Sequence, residues 1–212
     1  MNDIDSYILI GGRSSRLGRD KATVDLGGSS LAQRAFETVS TALSGNRVTF
    51  VAANEAQFAI EAIITGGRFI FDLVPNLGPI SGIHAALGDT QKPWIFVLAC
   101  DYPFVSSELI RLLADKRTDD HDSVVPEQSD GRLQPLCAFY RVDAARTVIQ
   151  DIIDRPRVPP PLNEILKELR PKIVQASEYA GFTGSDRFFV NVNTDLDLDL
   201  AHEIERKLSH QN

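Results

Sequence analysis

Short apolar runs alternate along the first half of the chain with stretches of helical periodicity. Residues 7–10, 48–53, 68–71 and 94–99 are apolar runs of strand length. Between them apolar side chains recur at helical spacing: Leu31, Ala35, Val39, Ala42 and Leu43; Phe58, Ala62 and Ile63; Ile80, Ile83 and Leu87; Leu109, Leu112 and Leu113. Ser29 or Ser30, and Ser106 or Ser107, are placed to cap two of these helices, and Gly78-Pro79 opens another with proline at its favoured first position. The alternation predicts an α/β fold with a largely parallel sheet, its strands buried on both faces.

The second half is less regular. Residues 123–126 and 136–140 read as strands joined by the polar stretch 127–132. Ala144, Ala145, Val148, Ile149 and Ile152 form a helical stripe, and so do Leu162, Ile165, Leu166 and Leu169. Four prolines in residues 155–161 exclude a helix there; the segment is either a mobile loop over a site or a plain connection. Residues 188–192 read as the last strand, and Leu196, Leu200, Ile204 and Leu208 as the last helix. No internal repeat or long linker interrupts the pattern, so one domain over residues 1–212 is expected.

Composition narrows the function classes. The net charge of −7 argues against broad nucleic-acid binding and against an anionic membrane surface. The longest apolar run, residues 94–100, is too short to span a bilayer, and the acidic start of the chain does not resemble a signal peptide. Cys100 and Cys137 have no CxxC or zinc-ligand spacing, which points to reduced thiols and a cytoplasmic protein.

Cations are nonetheless concentrated in one place. After the first strand the chain reads Ile10-Gly11-Gly12-Arg13-Ser14-Ser15-Arg16-Leu17-Gly18-Arg19-Asp20-Lys21. Glycines free the backbone N–H groups to cradle phosphate, and Arg13, Arg16, Arg19 and Lys21 supply the counter-charge. The loop matches neither GxxxxGK[ST] nor GxGxxG. Further polar residues fall at predicted strand ends: Asp72, Asp101, Asn191 and Asn193. In open α/β sheets ligands lie outside the carboxyl ends of the strands, so this set suggests a metal–nucleotide site.

These residues carry a family resemblance. The run from Gly11 to Lys21 resembles the opening loop of the molybdenum cofactor guanylyltransferases and their nucleotidyltransferase relatives. Leu77-Gly78-Pro79-Ile80-Ser81-Gly82 is similar to the family's Gly-Pro-Leu-x-Gly segment, and Cys100-Asp101-Tyr102-Pro103 to its Cys-Asp-x-Pro strand end. Gln134-Pro135-Leu136 and Asn191-Val192-Asn193-Thr194 resemble its Gln-Pro-Leu and Asn-x-Asn-Thr segments. The five segments occur in the family's order from the first strand to the last helix.

The resemblance implies a single-domain, three-layer, Rossmann-like nucleotidyltransferase fold. It implies transfer of GMP from GTP to the terminal phosphate of molybdopterin, with or without bound molybdenum, releasing pyrophosphate. It also implies roles. Ile10, Gly11 and Gly12 would hold the nucleotide through their backbone, with Asp72 lining the pocket. Arg16 and Lys21 would neutralise the phosphates. Asp101 and Asn193 would bind Mg²⁺. Gly78, Gly82, Gln134 and Asn191 would serve the pterin side. Molybdoenzymes and other cofactor-biosynthesis proteins are the further partners implied. The attacking phosphate is already ionised, so no histidine base is required, and His84, His121, His202 and His210 fall outside every motif.

Some positions depart from the family or read two ways. Isoleucine at position 10 replaces the family's alanine and is expected to crowd the nucleotide. Ala52 stands where some members have asparagine, and Asn54 is a candidate substitute. Glycine rather than alanine at position 11 leaves room for a purine, favouring guanine over cytosine. Asp20 either caps a turn or touches ligand, and Arg187 pairs with a phosphate or with a surface carboxylate. Asp195, Asp197 and Asp199 read as complements to a helix dipole after Thr194, and Cys100 as a small buried hydrophobe. The competing functions are cytidylyl transfer to the same pterin, nucleotidyl transfer to another phosphorylated small molecule, and non-catalytic delivery of a nucleotide or cofactor.

Overall fold

The computed structural model describes residues 3–11, 20–53, 68–72, 74, 77–155 and 159–209. The helix expected around Phe58, Ala62 and Ile63 lies outside them, as do Gly12, Arg16, Asn54 and His210.

The apolar runs become strands β1 (Ile4–Leu9), β4 (Val48–Ala52), β5 (Arg68–Phe71) and β6 (Trp94–Ala99). They join β7 (Ser123–Pro126), β8 (Cys137–Arg141) and β9 (Pro171–Val174) in a seven-stranded sheet of order β5-β4-β1-β6-β8-β7-β9. Only β8 runs antiparallel to its neighbours. Two short strands, β2 (Asp25–Leu26) and β3 (Ser29–Ser30), form a separate hairpin.

Side-chain alternation divides the core into two layers. Ile4, Ile8, Phe50, Phe96, Leu98 and Phe139 face α1 (Leu31–Ala42) and α3 (Ser107–Asp115). Tyr7, Leu9, Val51, Ile95, Val97 and Ala138 face α2 (Pro79–Asp89), α4 (Val142–Asp154) and α5 (Leu162–Glu168). With both faces covered, the central strands read as nearly continuous apolar runs. The helix caps follow the expected chemistry: Ser30 and Ser106 accept from the N–H groups of Gln33 and Leu109, at 3.1 and 3.2 Å.

The last strand is a correction. Residues 188–192 form turns and irregular backbone across the strand ends, not a strand. Their apolar side chains are buried by that crossing: Phe188 and Phe189 pack against Tyr179, and the Val192 N–H donates to the Asp101 carbonyl at 3.0 Å. The sheet edge belongs instead to β9, parallel to β7. Proline at its first residue is tolerated because an edge strand need not donate there. The short helix α6 (Ala176–Tyr179) follows, and α7 (Asp195–Ser209) closes the chain against the β2–β3 hairpin through Leu26, Leu198 and Ala201.

The sheet order reverses at β1, which lies between β4 and β6. Crevices for ligands form outside the carboxyl ends of strands at such a switch point. Ile10, Ala53, Asp72 and Asp101 all emerge at that edge, just beyond the ends of β1, β4, β5 and β6.

Candidate active site

Lys21 opens a three-residue 3₁₀ helix whose next residue, Ala22, is fully buried. The Asp20 side chain accepts from the Ala22 N–H at 3.0 Å, so Asp20 caps this turn. The turn delivers the Lys21 ammonium to the sheet edge. There it donates to Asp101 Oδ2 at 3.2 Å and to the side-chain oxygen of Asn193.

Each partner is held by backbone logic. Asp101 follows Cys100, whose N–H donates to the Leu9 carbonyl at 3.1 Å and locks the end of β6 to β1. Asn193 is fixed by the start of α7. Asp197 Oδ2 accepts from the N–H groups of Asn193 and Thr194, at 3.0 and 2.8 Å, while Thr194 Oγ accepts from the Asp197 N–H at 3.2 Å. Burial pushes the Asp197 carboxyl up, but these bonds outweigh it and hold the group below the usual carboxylate range. The acidic run after Thr194 therefore caps a helix.

The centre of the site is electrostatically incomplete. Among the described residues, Asp101 Oδ1 and Asn191 Oδ1 are buried oxygens without a hydrogen-bond partner. Burial raises the Asp101 carboxyl above its ordinary range, and the ammonium of Lys21 only partly offsets this. A carboxylate with one served oxygen, beside a lysine shared between two acceptors, is arranged to exchange partners with an incoming phosphate or cation.

The β5–α2 corner forms one flank. Burial pushes the Asp72 carboxyl up to about 6, and the nearby Ser81 hydroxyl, which donates to the Val74 carbonyl at 2.5 Å, offsets this only in part. Gly82 is buried at this corner; a Cβ there would lie 3.0 Å from the Leu9 side chain and 3.5 Å from Asp72 Oδ1. Gly78 has φ +58° with open space around it, so its backbone conformation rather than close packing requires glycine.

Residues 6–168 match the model of the MobA-like NTP transferase domain. The chain belongs to this family. It is 32% identical over 155 residues to a probable molybdenum cofactor guanylyltransferase of Pelotomaculum thermopropionicum, covering 68% of this chain and 67% of that one. A relative with the same description from Natronomonas pharaonis is 29% identical over 208 residues, covering 96% and 98%. The crystal structure of molybdopterin-guanine dinucleotide biosynthesis protein A from Archaeoglobus fulgidus superposes with a TM-score of 0.78 at 28% identity, over 96% of this chain and 99% of that one. A nucleotidyl transferase from Methanothermobacter, at 17% identity and a TM-score of 0.74, shares the fold.

In this MobA-like transferase, Lys21, Asp101 and Asn193 meet in one cluster, and the chain through Asn191 and Val192 is tied to Asp101. Gly12 and Arg16 lie outside the described residues. Two expectations change. Ile10 does not crowd the edge: its side chain is buried in the layer facing α1 and α3. Gly11 does not simply leave room for a base, because a Cβ there would lie 2.9 Å from the Ala53 backbone nitrogen. The N–H groups of Ile10 and Gly11 both donate to the Val51 carbonyl, at 3.0 and 3.2 Å. Packing against the end of β4 thus accounts for the glycine, and the guanine preference loses that support.

Gln134 is buried and engaged at both ends of its amide. It accepts from the Tyr102 hydroxyl at 2.9 Å and donates to the Gln128 side-chain oxygen. Tyr102 meets Phe189 edge-on, with ring centroids 6.0 Å apart. Sequence reasoning missed Tyr102, Gln128, Tyr179 and Phe189 as members of this side. The position of Tyr102 directly after Asp101 was the available signal. Arg187 lies 3.6 Å from Asp186, and burial raises the Cys100 thiol well above its ordinary range.

Proposed function

We propose that this chain transfers GMP from GTP to the terminal phosphate of molybdopterin, forming the guanine dinucleotide and releasing pyrophosphate. The observation that carries the reading is the Lys21–Asp101–Asn193 cluster, with an Asp101 oxygen that has no partner among the described residues, at the switch point of a MobA-like transferase. The names of the relatives supply the choice of guanine and pterin.

In this reading an acceptor phosphate oxygen attacks the α-phosphorus of GTP. The new P–O bond forms as the bond to the β-phosphate bridge breaks, and the electron pair leaves with pyrophosphate. The nucleophile is already ionised, so the protein's task is positioning and charge neutralisation. Lys21 exchanges its bonds to Asp101 and Asn193 for phosphate oxygens and follows the developing negative charge. Arg16 adds a second cation, and Asp72 lines the nucleotide pocket. The relatives' chemistry also brings in a divalent cation, which we take as Mg²⁺. The Asp101 oxygen that has no partner among the described residues suits a hard cation, and Asn193 joins it once Lys21 releases its oxygen. Bound there, the cation would neutralise phosphate charge. Among the described residues no cluster of three or more His, Cys, Asp or Glu side chains forms a cation site, so substrate phosphates would complete the coordination.

On the same reading the enzyme works in the cytoplasm and passes its product to molybdoenzymes. The free, buried thiols of Cys100 and Cys137 are consistent with that compartment. Among the described residues no helix is long and apolar enough to cross a membrane.

Thermal unfolding with GTP, CTP, ATP and UTP, each with and without Mg²⁺, tests the reading. A ligand at about 100 times its Kd adds roughly 2.7 kcal/mol, which raises Tm by about 5–10 °C for a chain of this size. The largest shift is expected with GTP and Mg²⁺. A preference for CTP would move the chemistry to cytidylyl transfer. Binding without pyrophosphate release in the presence of molybdopterin would favour a delivery protein.

A further inference from the structure

We propose that the cavity beside Tyr179 and Phe189 holds the fused-ring end of the acceptor, a pterin, and that Gln128 reads its carbonyl oxygen. The proposal rests on the guanylyl-transfer reading for the class of acceptor, and on the cavity's own chemistry for its place. The cavity measures about 240 Å³ and is lined by Gln128, Tyr179 and Phe189 with small or polar neighbours, among them Ala176 and Ser185.

Its position suits an acceptor whose phosphate must reach Asp101. Gln128 lies just beyond the end of β7, and α6 begins just beyond the end of β9, at the edge where Asp101 leaves β6. Tyr102, next to Asp101, packs edge-on against Phe189. Three residues after Phe189, the Val192 N–H is bonded to the Asp101 carbonyl. The cavity and the reacting centre are therefore joined through two direct contacts.

Its walls suit a flat heteroaromatic ring. Tyr179 and Phe189 stand at 80° to one another, with centroids 6.3 Å apart. The Tyr179 hydroxyl donates to the Glu127 carbonyl at 2.6 Å, which prevents the ring from swinging. Ala176 and Ala180, both small, line the cavity beside these rings. Rigid aromatic walls with a few oriented polar groups are the usual design of a small-molecule site.

The polarity of the site is set by a relay. Tyr102 donates to the Gln134 oxygen, so the Gln134 nitrogen must face the other way, and it donates to the Gln128 oxygen. That bond occupies the oxygen end of the Gln128 amide and leaves its NH₂ group as the end offered to a ligand. The pterin ring offers its carbonyl oxygen as an acceptor and, next to it on the pyrimidine end, a ring N–H and an exocyclic amine as donors. The Gln128 NH₂ matches the carbonyl oxygen. The exposed Asp186 carboxylate at the rim, 3.6 Å from Arg187, matches the donors. Gln134 is then a positioning residue: it acts through Gln128 and does not touch the acceptor.

The test uses 6-hydroxymethylpterin, whose fluorescence reports binding without turnover, beside steady-state kinetics with molybdopterin and the GTP melting shift. Gln128→Glu keeps an acceptor for Gln134 and removes the outward donor. Ala176→Leu fills the cavity, and its Tm shows that it folds. Each is expected to weaken the probe about tenfold and to raise the acceptor KM by the same factor, with kcat and the GTP shift unchanged. Gln134→Glu, which can no longer donate to Gln128, is expected to raise the acceptor KM in the same way without altering kcat. A wild type that does not bind the probe, or cavity variants with wild-type affinity and KM, would overturn the pocket. Failure of the guanylyl reading would show differently, as absent GTP shift and pyrophosphate release in a protein that still binds the pterin.

Discussion

The two ends of the sheet carry similar residues in opposite states. At the end where β1 begins, Asp5, Tyr7, Arg47, Arg68, Asp89 and Thr90 form a closed network. Asp5 Oδ2 accepts from Arg47 at 2.6 Å and from Thr90 at 2.8 Å. Asp89 Oδ2 accepts from Arg68 at 2.6 Å and from Tyr7 at 2.8 Å, with Arg47 a further 3.3 Å away. At the carboxyl end, among the described residues, Asp101 has one lysine and an oxygen with no partner. Burial raises both Asp89 and Asp101, but the donors around Asp89 win and lower it, while Asp101 stays raised. Cavity size does not separate the two ends, since a cavity of about 370 Å³ lies beside the closed network. What separates them is the charge on the unmet atom: near the closed network the buried atoms without a partner among the described residues are neutral ones, Ser6 Oγ, Thr49 Oγ1 and Asn46 Nδ2, whereas at the carboxyl end one belongs to a carboxylate.

The contrast predicts that function and stability part company between the two ends. Lys21→Ala and Asp101→Ala should each lower turnover by about 10²–10³-fold, the scale of losing a group that neutralises transition-state charge. Their melting temperatures should stay near wild type, because burial raises the Asp101 carboxyl by more than Lys21 lowers it, so the pair adds little net stability. Steady-state pyrophosphate release and calorimetry on the same preparations check both halves. Near-normal rates would sink the cluster as the reacting centre; unfolding of both variants would make it a structural pair like those at the opposite end.

Arg47→Met is the mirror experiment. It leaves the buried Asp5 with Thr90 alone while Asp89 keeps Arg68 and Tyr7. Removing one partner of a buried pair costs about 3–5 kcal/mol, but the Arg47 side chain is 40% exposed, so solvent screening reduces this to about 2 kcal/mol. The expected result is a Tm lowered by about 4–8 °C with kcat unchanged. A rate loss matching that of Lys21→Ala would erase the distinction between the two ends.

The same contrast explains what was legible in the sequence. The first half of the chain builds strands buried on both faces, and continuous apolar runs such as Trp94 to Ala99 announce them directly. The second half buries apolar residues by crossing over strand ends, and residues 188–192 show that a buried run need not be a strand. β9 was hidden by its length, its leading Pro171, its half-buried Lys172 and its exposed Ile173. In the site, Lys21 stood out from the cation-rich glycine loop and Asp101 and Asn193 from predicted strand ends, and the fold brings the three together. The Tyr102–Gln134–Gln128 relay was not, because amide orientation depends on partners brought together by the fold. Gly11 was legible as a constraint but not as to its cause, since the Ala53 backbone that requires it lies just beyond the end of another strand.

Asp72 provides the finest test, because it lies at the functional end yet could in principle be paired as Asp89 is. Burial holds its carboxyl at about 6 in the folded chain, above the usual carboxylate value of about 4. Between those values the folded state holds more protons than the unfolded one, so this group's contribution to stability falls as pH rises through the window. The penalty is absent below about pH 4, grows towards about pH 6 and levels off above about pH 7. Asp72→Asn lacks the charge and so lacks the penalty. After allowance for its partial exposure, the variant should be about 1 kcal/mol more stable at neutral pH, a Tm higher by about 2–4 °C. The gap should close as the pH is lowered towards about 4. A gap that does not change with pH would mean that Asp72 is hydrated like a surface carboxylate. A variant that melts lower at neutral pH would mean that Asp72 is paired as Asp89 is, and would group the β5–α2 corner with the closed network.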